Sequence, residues 1–78
     1  MRNKVSEGAL IQRINRRLAH DGEKLRKNSN PRHFMDVGWH YVVDVRSGYF
    51  EARINDLEQY GRETGALGPN ERLAEVQS

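Results

Sequence analysis

The sequence predicts a small α+β domain in the order helix, hairpin, helix. Three observations carry that reading: an apolar stripe at helical spacing over residues 7–27, strand-period alternation on both sides of Ser47-Gly48, and a capped apolar stretch over residues 56–64. At 78 residues with no cysteine, the chain holds one modest core and no disulfide to staple it. The expected domain covers residues 1–67, followed by a flexible tail over 68–78.

The first helix is expected over 7–27. Ser6 offers a hydroxyl to free backbone N–H groups and Glu7 a carboxylate to the positive end of the dipole. At 100° per residue, Leu10, Ile11, Ile14, Leu18 and Leu25 share one stripe. Arg13, Arg16, Arg17, His20, Lys24 and Lys27 form a second, basic stripe. Asp21 falls inside the apolar stripe beside Gly22. A continuous helix with Asp21 leaning toward Arg17 or Lys24 accommodates this, and so does a break with Asp21 capping a second piece. One continuous helix is the preferred reading.

"NSNPRHFMD" reads as a loop, because Pro31 biases Asn30 away from helical geometry. The hairpin is expected over 37–45 and 49–54 with a two-residue turn at Ser47-Gly48. That register sets Val45 opposite Phe50, Val43 opposite Ala52 and Tyr41 opposite Ile54, with Trp39, Val43 and Phe50 facing helix 1 and Trp39 and Tyr41 in the core. It also sets Asp44 opposite Glu51 on the outer face, with Arg46 and Arg53 as diagonal partners in a salt ladder. The short helix is expected over 56–64, with Asn55 as its cap, Glu58 reaching back as in a capping box, and Gly65 as a left-handed stop. A two-stranded sheet leaves both edges unpaired, which suggests a homodimer.

"LIQRINRRLAHDGEKLRK", "HYVVDV" and "DLEQYGRETGALG" together resemble a group of small uncharacterised proteobacterial proteins often met in mobile or horizontally acquired DNA. The likeness covers roughly residues 10–67. It implies a bacterial cytoplasmic origin, which the absence of cysteine fits, and it transfers no catalytic residue.

The chemistry-bearing residues argue against an enzyme. His20, His33, His40, Asp36 and Asp44 make no ligand spacing, and His40 and Asp44 on one strand face lie about 13 Å apart. No nucleophile elbow surrounds Ser6, Ser29, Ser47 or Ser78, and the single glycines make no phosphate loop. No catalytic, metal or cofactor residue is therefore assigned. No apolar run reaches membrane-span length, and "MRNKVSEGAL" lacks the apolar centre of a signal peptide.

Charge is unevenly divided. Residues 1–35 hold nine Lys/Arg against three Asp/Glu (+6), residues 36–78 four against eight (−4), and the two sum to +2. The expected function is a small non-enzymatic binding module acting through a protein-interaction surface, with an acidic protein as partner. The alternative is a nucleic-acid-associated accessory protein using the basic face of helix 1. The residues expected at the contact are Arg13, Arg16, Arg17, His20, Lys24, Lys27, Arg32 and Tyr49.

Overall fold

A computed structural model describes residues 3–28, 32 and 38–74. The fold is α+β. Strand β1 (Asn3–Val5) leads into α1 (Glu7–Leu18) and a 3-10 turn over Ala19–Asp21. Strands β2 (Glu23–Lys27), β3 (His40–Asp44) and β4 (Phe50–Ile54) follow, then α2 (Leu57–Glu63) and β5 (Glu71–Leu73). Strands β2-β3-β4 form one antiparallel sheet in that order, and β1 and β5 a separate parallel pair. No helix among the described residues is long and apolar enough to cross a membrane.

The helix expected over 7–27 ends at Leu18. Its start is as expected: the Ser6 hydroxyl accepts from the Ala9 N–H at 3.1 Å and Glu7 stands in the first turn. After the 3-10 turn, Gly22 takes φ 70°, a left-handed stop that side chains with a Cβ resist. Residues 23–27 then pair with β3 over five positions, Leu25 against Val42. "EKLRK" holds a single apolar residue, and Leu25 turns inward whether the segment is helix or strand. Periodicity therefore could not separate the two. Gly22→Ala gives a test of sign: a continuous helix would gain about 1 kcal/mol from it, whereas the left-handed φ makes it cost about 1–2 kcal/mol. A fall in the thermal midpoint is expected, and a rise would restore the long helix.

The hairpin forms, but in another register and with a longer turn. His40 pairs with Ile54, Tyr41 with Arg53, Val42 with Ala52 and Val43 with Phe50, so Glu51 is the extra residue of a β-bulge. The turn residues explain the shift. Oδ1 of Asp44 accepts from the N–H groups of Arg46 (2.8 Å) and Ser47 (2.9 Å), and the Asp44 N–H donates to the Tyr49 carbonyl. Residues 45–48 thus span the tip in place of Ser47-Gly48 alone. Val42 now enters the core at 2% exposure. Trp39 and Phe50, expected against helix 1, are 53% and 48% exposed, and Tyr41 is only half-buried. The expected Asp44–Glu51 ladder gives way to a turn-capping Asp44 and a bulged Glu51. The expected strand's residue 37 lies outside the described residues, as do His33, Asp36 and the loop's Asn30.

Helix α2 is one residue shorter at each end than the expected 56–64, and its cap is Asp56, whose Oδ1 accepts from the Gln59 N–H at 3.0 Å. Glu58, expected to reach back to Asn55, instead accepts from the Leu73 N–H at 2.7 Å. Gly61 of α2 meets α1 closely: a Cβ there would stand 2.9 Å from Leu10 Cδ1. Beyond Gly65 the chain is not a loose tail through residue 73. Strand β5 lies parallel to β1, with Asn3, Lys4 and Val5 facing Glu71, Arg72 and Leu73. The core joins Leu10, Ile14 and Leu18 of α1 with Leu25 of β2, Val42 of β3 and Leu57 of α2, closed by Val5, Ala66 and Leu67. All the sheet residues in that core, Leu25 and Val42, lie on one face.

Candidate functional site

Successive residues of a strand alternate between faces, so a sheet packed on one side by α1 presents every other residue on the opposite side. With Leu25 and Val42 turned to α1, that opposite face takes Lys24 and Arg26 from β2, Tyr41 and Val43 from β3, and Phe50 and Arg53 from β4. The register sorts them into two rows across the sheet, Arg26–Tyr41–Arg53 and Lys24–Val43–Phe50. Lys24, Arg26, Tyr41 and Val43 together line a shallow depression of about 400 Å3, bounded at the turn by Asp44, Val45 and Gly48. The rings of Tyr41 and Phe50 stand 6.4 Å apart, tilted by 32°. Among the described residues no helix covers this face.

Two local features shape it. The bulge at Glu51 separates Phe50 from the inward course of Ala52 and Ile54, which puts its ring on the outer face beside Tyr41. At the other end, Gly38 has φ 73°, and a Cβ on it would lie 2.8 Å from Arg53 Nε. The absent Cβ lets the Arg53 side chain lie across the backbone next to Trp39. Lys24 and Arg26 make no ion pair among the described residues, so their charge faces outward.

Acidic groups collect at one margin, where Asp44 also borders the depression. The carboxyl of Glu51 is raised above its ordinary value, first by a hydrogen bond with Glu23 and then by burial and by the charges of Glu23 and Asp44. Burial raises the Tyr60 hydroxyl, and the carboxylates of Glu23, Glu63, Glu51 and Asp21 add to it. These groups surround the end of the sheet beside α2, so the sheet's surroundings are polar in sign: cations on the outer face, carboxylates at this margin.

A second cluster sits where α1 begins. Glu7 Oε1 is 2.7 Å from His40 Nε2, and Glu7 Oε2 accepts from Lys27 Nζ at 3.3 Å. Burial pushes the Glu7 carboxyl up, but the hydrogen bonds from His40 and Lys27 outweigh it and hold it below its ordinary value. Both partners sit on the inward face of the sheet, so the cluster ties the first turn of α1 to β2 and β3. It lines a cleft of about 500 Å3 with Trp39, Arg53, Asn55 and Leu57. Among the described residues no three His, Asp or Glu side chains converge as a metal site would require.

The eight residues expected at the contact do not form one stripe. Arg13 is held by Glu71 (Nη1 to Oε2, 3.0 Å) and reaches the Ala66 carbonyl, and Arg17 donates to the Gly65 carbonyl at 3.3 Å. Both fasten α1 to the connection between α2 and β5. A hydrogen bond from the Gly68 N–H, then one from Arg13, holds the Glu71 carboxyl below its ordinary value. Arg16 and His20 are exposed beside them, on the helix and in the 3-10 turn. Lys24 lies on the outer sheet face, and Lys27 is drawn to Glu7 on the inner one, because β2 is a strand. Arg32 is exposed, and Tyr49 stands 76% exposed at the hairpin tip. The sequence pattern assigns Tyr41, Phe50 and Trp39 to the core and makes Arg53 a ladder partner. The signal available was the alternation of "EKLRK", in which Lys24 and Arg26 must share the face away from Leu25 once the segment is a strand. No protein-family model matches the chain, and no curated protein and no solved structure matches it either.

Proposed function

We propose that the chain is a small non-enzymatic binding module of the bacterial cytoplasm that holds nucleic acid on the open face of its three-stranded sheet. The observation that carries this reading is the pair of rows Arg26–Tyr41–Arg53 and Lys24–Val43–Phe50, which interleave cations and rings on a face that no described helix covers. Cations on such a face neutralise phosphates and release counterions, while rings offer surfaces to bases. The basic face of α1 serves less well, since Arg13 and Arg17 are engaged inside the molecule. Ser6 and Ser47 have structural tasks, one capping α1 and the other accepting from the Tyr49 N–H in the turn.

A protein-docking reading is favoured by one feature, the exposed Val45 and Tyr49 at the hairpin tip. Salt separates the two. Anisotropy of a labelled oligonucleotide at 50–200 mM salt should show binding whose logarithm falls linearly with log salt. The double variant Lys24→Ala/Arg26→Ala should weaken that binding and flatten the slope, and Arg16→Ala on the helix should leave both unchanged. A wild-type protein that binds no oligonucleotide at 50 mM salt would return the sheet face to a protein partner or to a second copy of the chain.

A further inference from the structure

We infer that the ligand of this face is a single strand, read by stacking of unpaired bases on Tyr41 and Phe50, with Trp39 at the margin. The inference rests on the nucleic-acid reading above and adds which form of nucleic acid the face accepts.

The geometry bears on that choice directly. A duplex hides the faces of its bases and offers only their edges, inside a major groove about 12 Å wide that admits a helix or a two-stranded ribbon. Three strands spaced by about 4.8 Å already span roughly 10 Å between the outer backbones, before any side chain is added. Tyr41 belongs to the central strand, so the side chains of β2 and β4 meet the phosphate walls before its ring reaches a base. A single strand imposes no such wall, and its unstacked bases present the π-faces that aromatic side chains bind.

The placement of charge agrees. Arg26 flanks Tyr41 on β2, so a base over the central ring has a guanidinium beside it for a phosphate, while the Arg53 side chain on β4 lies across Gly38 toward the cleft beside Glu7. Lys24 stands two residues from Arg26 along β2, about 7 Å away, on the same face and beside the Val43–Phe50 positions. The Tyr41 and Phe50 rings are tilted rather than parallel, which suits two successive bases splayed apart better than one base clamped between them. Few side chains on this face can read a base edge, so the face should discriminate weakly among sequences. Two cations line it without an ion pair among the described residues, Lys24 and Arg26, and they give an expected slope of roughly −1.4 in log affinity against log salt for a single strand.

The test compares a single-stranded oligonucleotide of about 10 residues with its duplex, using anisotropy and the fluorescence of Trp39, the chain's one tryptophan. The single strand should bind about tenfold tighter than the duplex and alter Trp39 emission. Tyr41→Leu, which keeps apolar volume and removes the ring, should weaken single-strand binding about tenfold while leaving duplex binding unchanged. Phe50→Leu should do the same at an independent position, and circular dichroism melts establish that each variant is folded. Lys24→Ala/Arg26→Ala should weaken both ligands. Equal affinity for the two forms, unaffected by either ring substitution, would overturn the stacking inference and leave the nucleic-acid reading standing. No binding of either form would overturn both.

Discussion

Leu25→Ala is expected to remove most of the protein's stability. Leu25 is 1% exposed and sits at the centre of β2, between α1 and the sheet, with Val42 directly across the strand pair. Removing a fully buried leucine side chain to Cβ costs about 2–5 kcal/mol, through lost transfer energy and the cavity left behind. Total stabilities of domains run about 5–15 kcal/mol, and a small core such as this belongs at the lower end. Urea denaturation measures the effect: the midpoint should fall far, with the slope little changed if the denatured state is unaltered. A variant with an unmoved midpoint would show that β2 does not lie beneath α1.

Asn15→Ala should be nearly as damaging, although it removes no apolar surface. The Asn15 side chain pairs with the edge of β2 as another strand would: Oδ1 accepts from the Leu25 N–H at 2.6 Å and Nδ2 donates to the Leu25 carbonyl at 3.3 Å. Both backbone groups are partly buried beneath α1, and alanine would leave both without a partner. Each orphaned group costs about 1–3 kcal/mol, so a loss of roughly 2–6 kcal/mol is expected. Asn15→Asp should fare little better, because its second oxygen would face the Leu25 carbonyl. Amide exchange provides the specific readout, as the Leu25 N–H should lose protection before the remainder of β2. Under a helix continuing through residue 27, Asn15 would be a solvent-facing polar residue. Its replacement by alanine would then stabilise by a few tenths of a kcal/mol, so the sign of the effect distinguishes the two architectures.

The same contact explains why dimerisation through open strand edges lost part of its motive. One edge of the sheet, at β2, is engaged by Asn15, and the other, at β4, carries the Glu51 bulge and the charge of Arg53. Bulges and charges are how natural sheets discourage a further strand.

Local chemistry was legible in the residues alone. Ser6 caps α1, Leu10, Ile14 and Leu18 mark its buried stripe, Gly65 stops the chain after α2, and the strands around residues 40–44 and 50–54 follow from their composition. These features depend on neighbours within a turn or two, where spacing and side-chain type suffice. The succession of helix, hairpin and helix, and hence the α+β class, followed from them, whereas strands β1, β2 and β5 did not.

Three decisions needed the folded chain. Residues 23–27 are a strand because β3 offers five pairing partners across a long connection, and no local pattern records a partner some 17 positions away. Residues 71–73 form a strand for the same reason, since β1 lies at the other end of the sequence. Most consequential is which face of the sheet is covered. Along β3, Tyr41 and Val43 make the more apolar face, with Trp39 before them and Val45 after, and His40, Val42 and Asp44 the more polar one. Hydrophobicity alone therefore assigns the first to the core. The structure does the reverse, because β2 has only Leu25 to offer α1, Leu25 pairs with Val42, and a sheet must turn one common face to its helix. His40 is reconciled to that face by Glu7, Asp44 by the turn it caps, and the aromatic residues are left on the surface with Lys24, Arg26 and Arg53.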